Sequence, residues 1–264
     1  WQNPYIEEIR ELSRSGNLDF NKKVIGTFQL LKQKFSWNGE YKLYSENLDK
    51  VLKTGTGSNA DLNFIFIGML KSFGIKAYPV VMSRRSAGML PVSFPSLQKL
   101  NTFVVAIYDE VRGKYVYLDG SMDVPALNVL PVELSVTKAR ILSADIPENK
   151  KWVNLQEIPT NQIFMKISAN AQGNQITGRR TTILKGYDAL EYRKEYQTKD
   201  SLVNKQELVK EKLAISNLKR TEMEDDFATI QEDFDFILEA EKSEDHIYIC
   251  LLYTSPSPRD MRRS

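Results

Sequence analysis

Apolar residues recur at helical spacing in three stretches of the first 150 residues. The first stretch covers 20–35 and a shorter one covers 46–53. The third begins after Ser58, a suitable N-cap, and ends at Gly74. Its apolar positions follow the i, i+3, i+4, i+7, i+8, i+11 pattern of one helix face: Leu62, Ile65, Phe66, Met69, Leu70 and Phe73. A stripe this apolar predicts a central helix with a sheet packed against it.

Strand patterns follow this helix. Residues 75–83 are predicted to form a buried strand, and residues 84–100 a long loop with Gly88, Pro91 and Pro95. Residues 103–108 and 114–118 are predicted to form a hairpin. These elements predict an α+β fold in which the central helix packs on an antiparallel sheet.

The pattern changes near residue 150 and becomes mainly β. Strands are predicted at 163–169, 175–184, 214–222 and 227–238, with a helical segment at 187–213. The acidic residues clustered between Glu222 and Asp235 predict a solvated strand face. We therefore expect one domain over 1–148, an incomplete β-rich domain over 149–248, and a separate tail over 249–264.

The tail and the first residue bear on the limits of the chain. Residues 250–260 resemble translated sequencing-adapter read-through, which predicts a non-native or disordered tail; a Pro/Ser-rich linker is the alternative. The chain begins with Trp1 rather than methionine, and we therefore expect a fragment or a processed product.

Composition excludes several kinds of site. The only cysteine is Cys250 and the only histidine is His246, so no disulfide framework, thiolate zinc site or Cys–His pair is expected within 1–245. The net charge of +2 predicts no nucleic-acid-binding surface. No apolar run reaches the roughly 18 residues of a transmembrane helix. We expect no metal and no cofactor.

Four motifs carry a resemblance to a known family over residues 20–145. They are Gly57-Ser58-Asn59-Ala60-Asp61, the run 73–80, the run 95–106, and Tyr117-Leu118-Asp119. In this order they resemble the transglutaminase-like superfamily, whose papain-like core places a Cys at the start of the central helix and a His and an Asp on the following strands. The resemblance puts Asn59 at the Cys position, Thr102 at the His position and Asp119 at the Asp position.

These departures determine the expected function. An amide is not a nucleophile at neutral pH, and a threonine hydroxyl is not a general base there. The resemblance therefore implies a non-catalytic scaffold or binding module, a pseudoenzyme of an exported or periplasmic bacterial protein whose β-rich flanking domains have unknown function. Its expected partner is a peptide, a protein or a cell-surface polymer held in the vestigial cleft. The alternatives are a hydrolase or amidase that uses Asp119, Asp61 or Ser58 in a rearranged site, and a purely structural spacer.

Several residues are candidates for lining this cleft. Arg84 and Arg85 could clamp a carboxylate, or could be solvated at a strand end. Aromatic side chains could line a groove for an extended peptide or glycan, or could pack in the protein. Asn59 could contact a ligand, or could bond backbone groups at the helix start. The complete set of candidate cleft residues is Ser58, Asp61, Arg84, Arg85, Trp37 and Phe94.

Overall fold

The structure is a computed structural model, and its chain divides into two compact units, which we describe separately. It describes residues 4–14, 18–91, 96–158, 161–195, 213–222, 227–239, 242–243 and 246–247. The first unit contains residues 1–160 with 224–228, and the second contains residues 161–223 with 229–264. The predicted tail over 249–264 and the candidate Phe94 lie outside the described residues.

The described α-helices of the first unit include one central helix, the last of them in chain order. They are α1 (Ile6–Arg14), α2 (Phe20–Lys34), α3 (Leu48–Thr54) and α4 (Asn59–Ser72). Asp19 caps α2 by accepting a hydrogen bond from Lys22 N–H at 2.9 Å, and Gly55 closes α3 with a φ of 69°. Helix α4 contacts α1, α2 and the sheet, and its apolar side chains other than Phe64 are buried. The sequence predicted this central helix correctly.

The sheet of the first unit is antiparallel and has both faces covered. Its strands are β3 (Ala77–Met82), β4 (Thr102–Asp109), β5 (Lys114–Leu118), β6 (Ala139–Ile141) and β7 (Trp152–Val153), in the order β5-β4-β3-β6-β7. Alternate residues of β4 face opposite cores: Phe103 and Val105 join the helical side, and Val104 and Ala106 join the side covered by later residues such as Leu130. A short parallel pair, β1 (Ser36–Trp37) and β2 (Thr56–Gly57), lies before α4.

The second unit is built on a four-stranded antiparallel sheet. Its strands are β8 (Gln162–Gln172), β9 (Gln175–Lys185), β10 (Leu213–Glu222) and β11 (Thr229–Glu239), in the order β10-β11-β9-β8. Helix α5 (Tyr187–Glu195) follows β9, and β12 (Lys242–Ser243) pairs with β13 (His246–Ile247). Ile176, Phe234 and Phe236 form the buried apolar cluster of this unit.

The fold class is α+β, with mixed helices and antiparallel sheets, and three details differ from the sequence-based expectation. The division between units falls at 160/161 rather than 148/149, because β7 pairs with β6 in the first sheet. Of the helix predicted over 187–213, residues 187–195 form α5, residues 196–212 lie outside the described residues, and Leu213 belongs to β10 instead. The acidic strand is not a uniformly solvated face, since Glu232 is buried and accepts a hydrogen bond from Tyr192.

Among the described residues, no helix is both long enough and apolar enough to cross a membrane.

Candidate functional site

The start of α4 is fixed by a capping box. Ser58 Oγ accepts from Asp61 N–H, while Ser58 N–H donates to Asp61 Oδ2 at 2.8 Å. Ser58 Oγ also donates to Asp61 Oδ2 at 2.6 Å. Gly57 packs so closely against Val51 of α3 that a Cβ at position 57 would lie 2.9 Å from Val51 Cγ1. These contacts hold the first turn of α4 in place and bury both Ser58 and Asp61.

Asn59 occupies the first helical position, and its side chain is fully bonded within the protein. Its Nδ2 donates to Thr102 Oγ1 at 2.6 Å and to the carbonyl of Phe103 at 3.2 Å. Its Oδ1 accepts from the backbone N–H of Lys42 at 2.8 Å, and its own N–H donates to the Glu40 carbonyl at 3.0 Å. Asn59 and Thr102 are both 0% exposed. The amide therefore links the helix start, strand β4 and the segment 40–42.

Asp119 joins this arrangement through a residue that the sequence analysis missed. Asn63 lies one helical turn after Asn59, and its Nδ2 donates to Asp119 Oδ1 at 2.9 Å and to the Phe103 carbonyl at 2.8 Å. Asn63 Oδ1 accepts from Gly120 N–H at 2.7 Å. The sequence did contain a signal for this role: Asn63 is a polar residue between Leu62 and Phe64, four positions after Asn59.

Burial determines the electrostatics of Asp119. The carboxyl group is 0% exposed. Burial raises the pKa of Asp119, against the opposing effects of hydrogen bonds from Ser121 and Asn63 and of the positive charge of Lys32. Burial also lowers the pKa of Lys32, which lies near Asp123 and Asp119. The site thus contains a buried carboxyl group with a nearby, partly desolvated cation.

We call Asn59, Asn63, Thr102 and Asp119 the polar network. It brings together Asn59, Thr102 and Asp119, the three positions that the sequence resemblance singled out, between α4, the start of β4 and the end of β5. Asn59 and Thr102 bond directly, whereas Asp119 is connected through Asn63 and the Phe103 carbonyl. The network holds two amides, a hydroxyl and a carboxyl group, and no thiol or imidazole.

The other candidate cleft residues do not form one cluster. Ser58 and Asp61 are bonded to each other, although Asp61 Oδ1 is buried without a hydrogen-bond partner. Trp37 is half-buried, with its ring 5.1 Å from the ring of Tyr41, and its Nε1–H donates to the Glu40 carbonyl at 3.0 Å. Arg84 lies over the same Tyr41 ring at 5.2 Å. Arg85 is exposed on the surface.

Tyr41 is the residue on which both Trp37 and Arg84 pack, and it is close enough to Asp119 to feel its charge. Burial and the nearby carboxyl groups of Asp119 and Glu133 raise the pKa of Tyr41 to about 12, whereas Arg84 acts in the opposite direction. The phenol is therefore neutral at physiological pH and serves as a ring for Trp37 and Arg84 to pack on.

Among the described residues, no group of three or more His, Cys, Asp or Glu side chains is placed to hold a metal ion.

Comparison with known proteins adds little to this description. No protein-family model and no curated protein matches the sequence. A solved structure of a putative protease from Parabacteroides distasonis is similar at 11% identity and a TM-score of 0.37. The match covers 89% of this chain and 48% of that chain, so the chain spans about half the length of that protein. A TM-score this low supports neither a shared fold nor a shared activity, and the transglutaminase-like resemblance stays a prediction.

Proposed function

We propose that the first unit is a non-catalytic, transglutaminase-like domain with a papain-like core, which acts as a scaffold or binding module of an exported bacterial protein. The observation that carries this proposal is the 2.6 Å hydrogen bond from Asn59 Nδ2 to Thr102 Oγ1. At these two positions a catalytic member of the family would have its nucleophile and its base. Here an amide donates to a hydroxyl: the amide is not a nucleophile at neutral pH, and the threonine hydroxyl is not a general base there.

The complete hydrogen bonding of the Asn59 side chain supports the same proposal. Every polar atom of the Asn59 side chain has a partner, and Asn59 is completely buried. A substrate could reach the amide only by breaking these bonds, and each orphaned buried group costs about 1–3 kcal/mol. A network of this kind stabilises the junction of helix and sheet.

The hydrolase alternative has less support. Ser58 Oγ is buried, caps α4 and donates to Asp61 Oδ2. Its partner is a carboxylate held by the capping box, and the chain's only histidine, His246, belongs to the second unit. Asp119 is fully buried within the polar network.

Binding is proposed at the surface beside the network rather than in it. Trp37 and Arg84 each pack on Tyr41 there, and their planar groups suit an extended peptide or a surface polymer.

The experiment is a peptide-amide hydrolysis and amine-incorporation assay on the full chain, with Asn59→Ala and Asn59→Cys variants beside it. We expect no turnover by the wild type or by either variant, because Thr102 cannot take a proton from a thiol. A urea titration of each variant establishes that it is folded at the assay temperature. Turnover by the wild type that disappears in Asn59→Ala would show that Asn59 belongs to a working site and that the proposal is wrong.

A further inference from the structure

Arg84 is held rigidly at the end of β3. Its backbone N–H donates to Asn101 Oδ1 at 3.0 Å, and its carbonyl accepts from Ala87 N–H at 3.0 Å. Its guanidinium lies 5.2 Å above the centre of the Tyr41 ring. The nearest carboxylate oxygen is Glu133 Oε1, 4.0 Å from Arg84 Nη1. Both the main chain and the head group of Arg84 thus have a defined position.

Within the described residues, the hydrogen-bond donors of this guanidinium meet no acceptor. A separation of 4.0 Å is too long for a hydrogen bond, and Glu133 Oε1 already accepts from the N–H and the hydroxyl of Ser86. Arg84 Nε is buried and has no hydrogen-bond partner. In the described part of the chain, no acceptor receives a hydrogen bond from the Arg84 side chain, which is 30% exposed. The Nη groups of a positioned guanidinium are complementary to a carboxylate, which accepts two of their N–H donors in parallel.

Exposed apolar side chains lie on the loop that follows Arg84 and on the turn that is bonded to this loop. Ser83 Oγ donates to the Gly88 carbonyl at 2.7 Å, and this bond folds the loop after Arg84 back towards β3. The next residue in the chain, Met89, is 82% exposed. The bond between Ser86 and Glu133 ties this loop to the 3-10 turn Val132–Leu134, where Val132 is 55% exposed. Methionine side chains adapt to varied apolar ligands.

We propose that Arg84 binds a carboxylate side chain of an acidic peptide that has apolar residues beside the carboxylate. This inference rests on the proposed function, because it assigns a ligand to the surface formed by Trp37, Tyr41 and Arg84. The guanidinium receives the carboxylate, and Met89 and Val132 contact the adjacent apolar side chains. Exposed methionine and valine favour a peptide over an acidic polysaccharide, whose sugar rings present hydroxyl groups to such side chains.

The probe is a fluorescein-labelled pentapeptide with a central glutamate between two leucines, measured by fluorescence anisotropy with the full chain. A second peptide carries glutamine in place of the glutamate. The variants are Arg84→Gln, Arg84→Lys and a matched control, Arg10→Gln, which removes the same charge from exposed α1. We expect the wild type to prefer the glutamate peptide by about tenfold, as for a partly desolvated charge-assisted pair. Arg84→Gln removes this preference, Arg84→Lys weakens it because the planar fork is lost, and Arg10→Gln leaves it unchanged.

Four results overturn the inference: no binding of the pentapeptide, equal binding of both peptides by the wild type, equal losses in Arg84→Gln and Arg10→Gln, or Arg84-dependent binding of oligogalacturonate in place of the peptide. Each leaves the proposed function standing as long as the chain shows no Asn59-dependent turnover. Turnover of that kind overturns the proposed function itself, whichever ligand Arg84 binds.

Discussion

Replacing Asn63 with alanine tests whether the polar network stabilises the first unit. The variant loses the hydrogen bonds to the Phe103 carbonyl, to Asp119 Oδ1 and from Gly120 N–H. The Phe103 carbonyl keeps its 3.2 Å hydrogen bond from Asn59. Two other groups lose a partner: Gly120 N–H loses its acceptor, and buried Asp119 Oδ1 loses the shorter of its two hydrogen bonds. Each such loss costs about 1–3 kcal/mol, so we expect the free energy of unfolding to fall by about 2–6 kcal/mol. That is a large share of the roughly 5–15 kcal/mol that stabilises a domain.

Urea unfolding followed by tryptophan fluorescence measures this loss. All three tryptophans lie within residues 1–160, so the signal reports the first unit. We expect a lower midpoint with an unchanged slope, since the buried surface is the same. Asn38→Ala is the matched control, because Asn38 is exposed and its Oδ1 accepts only from Glu40 N–H. A loss below about 1 kcal/mol for Asn63→Ala, or one equal to that of the control, refutes the structural role of the network.

Two further predictions concern Asp119 and Gly120, which lie where β5 meets the polar network. Because burial raises the pKa of Asp119 above its unfolded value, its contribution to stability is greatest below the unfolded pKa and is lost as pH rises through the folded pKa. Asn cannot ionise, so the stability of Asp119→Asn relative to the wild type should increase from pH 4 to pH 8 in urea titrations; a constant difference would contradict this. Gly120→Ala places a Cβ 3.1 Å from Asn63 Oδ1 and 3.3 Å from Leu31 Cδ2, and should cost about 1–3 kcal/mol. Gly26→Ala in helix α2 adds a Cβ whose nearest neighbour is 3.8 Å away, so it should raise the free energy of unfolding by about 0.5–1 kcal/mol in the same assay. Equal effects of the two substitutions would contradict the packing difference between these glycines.

The secondary structure around the site followed from local patterns. The periodicity of apolar residues predicted α4, and turn residues predicted the hairpin of β4 and β5, because both signals depend on neighbours in sequence. The three-residue β6 and two-residue β7 were not predicted, since strands this short have no readable alternation. Pairing with a sheet, rather than local preference, determines them.

Local sequence patterns could not predict the contacts of the polar network. Asn63 contacts residues that are 40 to 57 positions away, and nothing in its sequence neighbourhood indicates them. Glu232 gives a second example. It lies between Gln231 and Asp233 on β11, but the alternation of the strand turns it inward, where Tyr192 donates to it. An acidic run therefore predicted solvation for a residue that the tertiary structure buries.

The bond between Asn59 and the segment 40–42 limits how this domain could acquire thiol chemistry. A sulfur atom at position 59 is a weak acceptor for Lys42 N–H and a weak donor to Thr102 Oγ1, and it cannot also donate to the Phe103 carbonyl. A single change to cysteine therefore lowers stability before any histidine at position 102 could make the thiol useful. Any mutational route to a thiol nucleophile at position 59 therefore begins with a loss of stability, and the asparagine is easier to keep than to replace.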